Sequence, residues 1–271
     1  MPFERTRRAA IVMLFSAALP MRAHTQPFEK VVPAIARDAA FTNGNAYSID
    51  DPWVTGSVIL AGGVGGFWWV FDHKPDLTDS ELRAINPDHV PIFDRISLHQ
   101  NVALVHRWMN YAHIGQGIGA SMPVLLLLDP AIRRNWFDIL TYALEADMAE
   151  LAFYTLSPLG PRWVTRYRPL VYYADDSGCE INRREGYNKA SFYSGHVASF
   201  ATTAFFMATV YSDYRPAASK TLLYTCAALP TLAMGFIRFM TLDHFPSDIL
   251  AGCVIGTAFG LLMPHLHKIP P

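Results

Sequence analysis

Two histidines in this chain stand beside residues that can tune them. His244 lies in Arg238-Phe-Met-Thr-Leu-Asp243-His244-Phe-Pro246-Ser247-Asp248, directly ahead of an apolar stretch. Pro246 suits the first turn of a helix, where its missing N–H is not needed. Asp248 follows His244 by four residues, so its carboxylate can lie one turn above the imidazole. A carboxylate on one ring nitrogen fixes the tautomer and leaves the other nitrogen as nucleophile or base. His196 closes Ser191-Phe-Tyr-Ser194-Gly195-His196 and runs straight into the apolar stretch Val197 to Val210. Ser194 is placed as an N-cap and Gly195 permits close backbone approach. The free N–H groups and the helix dipole make such an end a ready anion site. A third cluster, Arg162-Trp-Val-Thr-Arg166-Tyr-Arg168-Pro169, gathers arginines ahead of a proline that stops any helix.

Each cluster alone has a plainer reading: a structural His–Asp pair, a capped helix with an incidental histidine, a solvated basic loop. Together they suit phosphoryl transfer through a histidine. One His attacks phosphorus, guanidinium and backbone N–H groups hold the equatorial oxygens, and the second His protonates the leaving oxygen. No metal is expected, because arginine supplies the positive charge. Arg168 and Arg238 would also repel a cation from a His–Asp site.

The elements that must position these clusters read as helices. The chain has 271 residues, of which 51% are hydrophobic and 17% charged, against about 25% charged in a typical soluble domain. Its mean hydropathy is +0.16. Disordered, collagen-like and disulfide-scaffold chains are excluded. The net charge of −1 leaves no basic excess for a phosphate backbone, so no nucleic-acid partner is expected. The basic residues are 17 Arg and 5 Lys. That bias favours bidentate contacts to phosphate or carboxylate, and a GC-rich genome produces it as well. Cys179, Cys226 and Cys253 are too few and scattered for a zinc site or disulfide framework. Cys226 and Cys253 sit in apolar stretches and are expected in the core; Cys179 falls in a polar loop.

Six apolar segments, 54–71, 108–128, 136–157, 196–212, 221–242 and 247–264, have the length of a spanning helix. Strand-like alternation is missing, so the expectation is an all-α bundle of about six core helices that crosses a membrane. The third segment carries Asp138, Glu145, Asp147 and Glu150, so it must face a polar interior or fail to span. Gly252, Gly256 and Gly260 recur every four residues, as do Gly62 and Gly66, a spacing that lets helix backbones approach. Arg5, Arg7 and Arg8 precede the short apolar run Ala9 to Pro20, so 1–23 reads as a signal peptide or N-terminal anchor. Residues 24–51 read as linker with a short helix, and 52–271 as one helical domain whose motifs occupy 160–264. A short helix at Thr78 to Ile85 would be capped by Thr78 or Asp79. Helix parity puts Arg133, Arg134, Arg215, Lys220 and Lys268 on one side and the loops 72–103 and 158–195 on the other. Short-loop positive charge marks the first side as cytoplasmic. A cleaved signal peptide would invert that topology, so the two readings conflict.

On these residues the chain resembles the phosphatidic acid phosphatase type 2 / vanadium haloperoxidase superfamily. Its pattern is Lys-x6-Arg-Pro, then Pro-Ser-Gly-His, then Ser-Arg-x5-His-x3-Asp. The chain keeps Arg168-Pro169, Ser194-Gly195-His196 and Arg238-x5-His244-x3-Asp248. The family's first Lys falls at Pro161, with Arg162 one position late and Arg166 further in. Tyr193 replaces a Pro, and Ile237 replaces a Ser whose contact to a charged ligand is worth roughly 1.5–3 kcal/mol. The resemblance implies an all-α core. It also implies His244 as nucleophile forming a phosphohistidine, Asp248 orienting it, and His196 as general acid and then base. Arg168, Arg238, Ser194, Gly195 and Arg162 would bind phosphate. Tyr172 and Tyr173 would line the entrance or pack at the membrane interface. No cofactor is implied; vanadate would be an inhibitor or, in the haloperoxidase branch, a cofactor. The expected activity is metal-independent hydrolysis of a phosphomonoester or pyrophosphate, on a lipid. The expected place is a bacterial-type cell membrane, with the site facing the periplasm. The alternatives are a soluble periplasmic acid phosphatase and a catalytically degenerate membrane binding or transport protein.

Overall fold

The computed structural model describes residues 46–49, 51–71, 74–173 and 182–269. The expected signal or anchor, most of the linker and Cys179 lie outside the described residues. The α-helices are α1 (Pro52–Phe71), α2 (Asp79–Ala84), α3 (Val105–Ser121), α4 (Pro130–Arg133), α5 (Trp136–Leu156), α6 (Gly195–Tyr214), α7 (Lys220–Met240) and α8 (Pro246–His267). Tighter 3-10 turns include Ile92–His99, Met122–Leu128, Pro169–Tyr172 and Gly186–Lys189. Among the described residues β-type pairing is confined to two isolated bridges, Tyr47 with Lys268 and Arg166 with Ala190. The chain is all-α, as its patterning predicts.

Local chemistry sets several helix starts. Thr78 caps α2 through a reciprocal box: Glu81 N donates to Thr78 Oγ1 at 3.2 Å and Thr78 N to Glu81 Oε2 at 2.8 Å. Ser219 Oγ caps α7 by accepting from Leu222 N at 3.3 Å. Pro246 opens α8 at its first turn, as expected.

The six long helices alternate in direction. The starts of α3, α6 and α8 and the ends of α1, α5 and α7 meet at one end of the bundle. Arg133, Arg134, Arg215, Lys220 and Lys268 lie at the other. Central α6 packs on α3, α5, α7 and α8. Its closest neighbour is α8, and the glycine stripe is the reason. A Cβ at Gly252, Gly256 or Gly260 would lie 2.6, 2.0 or 2.5 Å from the carbonyl oxygens of Ser194, Ala198 and Thr202. The α1–α5 contact uses Gly62 and Gly65 in the same way, at 2.4 Å from Met148 O and 2.1 Å from Thr155 Oγ1. Gly256→Ala is therefore expected to destabilise the bundle by about 1–3 kcal/mol. Gly63→Ala, with nothing within 4 Å of the added carbon, should gain up to about 1 kcal/mol of helix propensity. Thermal unfolding in detergent compares them; a Gly256→Ala protein as stable as wild type would contradict the packing account.

The acidic helix α5 turns its carboxylates inward. Glu145 Oε2 accepts from Thr55 Oγ1 at 2.9 Å, Asp147 from Thr203 Oγ1 at 3.1 Å, and Glu150 from Tyr193 OH at 3.1 Å. It faces a polar interior, and it is not among the helices apolar enough to cross a membrane. Three helical segments are long and apolar enough to cross a membrane: Val102–Leu128, Lys220–Met240 and Pro246–His267. Membrane association follows from them. Cys226, expected in the core, is exposed, and Cys253 is half-buried. The apolar run around Cys226 includes an outward face of α7, which also exposes Leu222, Leu229, Leu232 and Phe236.

Candidate active site

Where the helix ends converge, α7 stops at Met240 and Leu242 takes a φ of 58°. That left-handed position after a helix usually belongs to glycine. A leucine there costs about 1–2 kcal/mol, offset by burial against Val105 and Leu170 and by Leu170 N donating to its carbonyl at 3.1 Å. The turn delivers Asp243 and His244 into the space between α6, α8 and residues 164–173.

Arg168 is 1% exposed. Its Nη1 pairs with Asp243 Oδ1, Nη2 and Nε donate to the Ala190 and Tyr187 carbonyls at 3.3 Å each, and Cζ lies 3.7 Å from the Tyr187 ring centroid. Arg238 Nη2 stands 3.0 Å from the other oxygen of Asp243. One buried carboxylate thus bridges two buried guanidiniums and leaves one positive charge in excess. Burial pushes the Asp243 pKa up, but Arg238 and Arg168 outweigh it and hold the carboxyl below its usual range.

His244 is also buried, with Nδ1 2.7 Å from the Ser191 carbonyl oxygen. A carbonyl only accepts, so Nδ1 carries the proton and Nε2 presents its lone pair. Burial, then Arg168 and Arg238, push its pKa well below 6.5, so the ring is neutral. The bond expected from Asp248 to His244 is not made. Asp248 sits in the first turn of α8, where Oδ2 accepts from Phe245 N at 2.9 Å and from Ser191 Oγ at 2.6 Å. Its other oxygen pairs with Arg166. Capping its own helix wins over reaching the imidazole, and Asp248 touches His244 only through Ser191.

Ser194 is the N-cap of α6 by backbone position, its carbonyl accepting from Ala198 N at 3.0 Å. Its hydroxyl, however, caps nothing. Ser194 Oγ and Arg238 Nε are both buried without a hydrogen-bond partner. Gly195 lies where a Cβ would come within 3.0 Å of the Tyr154 ring. His196, in the first turn of α6, has its pKa lowered to about 3, by burial first and then by Arg238. It lies in the field of Arg168, Arg238 and Asp243, the three charges that also act on His244.

Arg162 and Arg166, the two substitutes for the missing lysine, are both elsewhere. Arg162 Cζ lies 5.0 Å from the Trp68 ring centroid and lines an outer cleft of about 280 Å³ with Trp68, Trp69 and Lys74. The cleft's inner wall is Tyr187 and Ala190, whose carbonyls hold Arg168. Arg166 is spent on Asp248, on Asp94 Oδ2 at 2.6 Å and on Ser247 Oγ at 2.9 Å. Tyr173 OH donates to Ser97 O at 2.8 Å, and Tyr172 packs edge-on against Phe245.

A family model described as the PAP2 superfamily matches residues 139–269. Over these residues the chain is similar to the PAP2 superfamily. No curated protein and no solved structure matches the chain significantly. The matched region runs from α5 to the end of α8 and holds all three clusters, together with Ser191 and Asp243. PAP2 proteins are generally phosphoesterases. The helices α1 to α3 and the loop that carries Asp94 precede the match.

Sequence reasoning assigned no role to Asp243, Ser191 or Asp94. Asp243 stood in plain view beside His244, and an acid between two arginine-bearing motifs was its signal. Ser191 works through a backbone carbonyl, which leaves no mark in a sequence. Asp94 lies far from its partners along the chain, in an acidic loop.

Proposed function

We propose that this protein hydrolyses phosphomonoesters or pyrophosphates of lipids without a metal, through a phosphohistidine on His244. The observation that carries the reading is the pair of buried, unpartnered donors, Ser194 Oγ and Arg238 Nε, beside a neutral imidazole with its Nε2 lone pair free of the proton. Burying an unsatisfied polar group costs about 1–3 kcal/mol, which a bound phosphate would remove. Arg168, Arg238, Ser194 and the backbone N–H groups of Gly195 and His196 hold the phosphoryl oxygens. Asp243 bridges the two guanidiniums and half-neutralises them, so the bound anion supplies the remaining charge.

His244 Nε2 attacks phosphorus and the bond from phosphorus to the leaving oxygen breaks. The Nδ1 proton stays on His244, and the Ser191 carbonyl stabilises the cationic ring. His196 gives a proton to the leaving oxygen. It then takes one from water, whose oxygen attacks phosphorus; the P–N bond breaks, His244 returns neutral, and His196 passes its proton to the departing phosphate. His196 is unprotonated in the free protein, so the proton it delivers must arrive with the substrate monoanion. A phosphomonoester loses that proton at a pKa of about 6. The expected pH profile of kcat/KM therefore falls about tenfold per unit above pH ~6. His244, whose pKa lies well below 6.5, adds no fall of its own around pH 6. Stopped assays on a soluble phosphomonoester read this directly; a rate that rises from pH 6 to 8 would exclude the assignment.

A lipid substrate is supported by Lys220–Met240 ending, and Pro246–His267 beginning, at the site. The basic residues at the far end support a site that faces the periplasm. Release of inorganic phosphate from phosphatidic acid, a polyprenyl pyrophosphate and a generic phosphomonoester, with and without vanadate, tests the reading. Release at the protein-free rate on every substrate would sink it. Reporter fusions after Lys220 and after Pro161 test the orientation, with only the second active in the periplasm.

A further inference from the structure

The 3-10 turn Ile92–His99 is amphipathic in an unusual place. With three residues per turn, Asp94 and Ser97 share one face, and both are buried. The opposite faces expose Ile92 by 85%, Phe93 by 60% and Ile96 by 61%. The inward face is latched to the catalytic end. Asp94 Oδ2 pairs with Arg166 at 2.6 Å and accepts from Ser247 Oγ at 2.7 Å, while Oδ1 accepts from Ser247 N at 2.9 Å. Farther along, Gln100 Nε2 donates to the Phe239 carbonyl at 3.0 Å, and Gln100 N to Tyr173 OH at 2.9 Å.

These bonds fix the depth of the turn. Ser247 is the second residue of the apolar segment Pro246–His267, and Phe239 the penultimate one of Lys220–Met240. The turn itself runs into the third such segment, Val102–Leu128, with only Gln100 and Asn101 between. It is therefore tied to the same end of all three membrane-crossing candidates, at the level where hydrocarbon gives way to headgroups. The loop beyond α5 exposes Leu159 and Trp163 at that end as well, and tryptophan is favoured at that level.

We propose that the Ile92–His99 turn is a membrane-docking surface. Ile92, Phe93 and Ile96 enter the acyl–headgroup boundary of the bilayer in which the helices stand, while Asp94 anchors the turn to the active-site rim through Arg166 and Ser247. The partner is a lipid surface, met side-on by the rim, which places lipid headgroups beside the catalytic end. The proposal rests on the chain's membrane placement and not on its phosphatase chemistry.

Phe93→Cys, in a background with Cys179, Cys226 and Cys253 replaced by serine, takes an environment-sensitive fluorophore. The labelled protein is reconstituted in vesicles of phosphatidylethanolamine and phosphatidylglycerol. Strong quenching by lipids spin-labelled near the headgroup, with little quenching by aqueous iodide, is expected. Iodide quenching equal to that of a label at Asp88 would overturn the proposal, placing the turn in water. Quenching by neither reagent would also overturn it, because the face would then be covered by protein. In a second arm, the triple variant Ile92→Ser, Phe93→Ser, Ile96→Ser should raise the apparent KM for a vesicle-borne lipid phosphate at least fivefold. Its rate on a water-soluble phosphomonoester should stay within twofold. Equal KM values on vesicles count against docking. A wild type inactive on both substrates would fail the phosphatase reading alone, leaving the fluorescence result to decide this one.

Discussion

Replacing His244 with alanine is expected to lower kcat for phosphate release by more than about 10⁴-fold, the scale on which loss of a nucleophile is felt. KM should change little. The ring is buried and makes its hydrogen bond to the Ser191 carbonyl, and the proposed phosphate contacts, Arg168, Arg238 and Ser194, are left in place. Vanadate should still bind the variant, more weakly. His196→Ala should cost less, about 10²–10⁴-fold, with the larger loss on substrates whose leaving oxygen is a poor leaving group. The ordering separates the two roles, because an activated leaving group has little need of an acid but full need of a nucleophile. Steady-state kinetics on an activated aryl phosphate and on an alkyl phosphate measures both. Equal rates for wild type and His244→Ala on either substrate would place the nucleophile elsewhere.

The second large effect is on stability. Asp243→Ala removes the only carboxylate that touches both Arg168 and Arg238 among the described residues. Both guanidiniums are nearly fully buried, and leaving a buried charge without its partner costs about 3–5 kcal/mol. The variant should unfold at a clearly lower temperature in detergent. It should also be stabilised by phosphate or vanadate more than wild type is, because an anion in the cradle would take over the charge that Asp243 supplied. Asp243→Asn keeps the shape but not the charge, and should fall between the two. A Asp243→Ala protein that melts with wild type, and gains nothing from phosphate, would show that the two arginines are neutralised by other groups.

Much of the fold was legible from local chemistry. Apolar runs of helical length produced six long helices, Thr78 and Pro246 marked helix starts, and the glycine stripe at Gly252, Gly256 and Gly260 announced a close helix–helix contact. These signals are short-range, so a reader of the chain can see them. The exposed Cys226 shows their limit. An apolar residue reads the same whether it meets core or lipid, and only the packing of α7 distinguishes them.

The site divides along the same line. The three clusters, with His244, His196, Arg168, Arg238 and Ser194, were readable because side-chain type and spacing carry their chemistry. Which of them touch was not. Asp248 had the reach to orient His244, yet its oxygens went to Phe245 N, Ser191 Oγ and Arg166. Arg162 was the expected stand-in for the family's lysine and Arg166 the alternative, yet Arg162 lies against the Trp68 ring and Arg166 pairs with Asp248 and Asp94. His244 finds its partner in a backbone carbonyl 53 residues away, and every residue has such a carbonyl. The residue types and their order determined what chemistry this protein can attempt. The folded chain alone decided which groups hold, orient or merely cap, because those choices are made by competition among partners that the sequence keeps far apart.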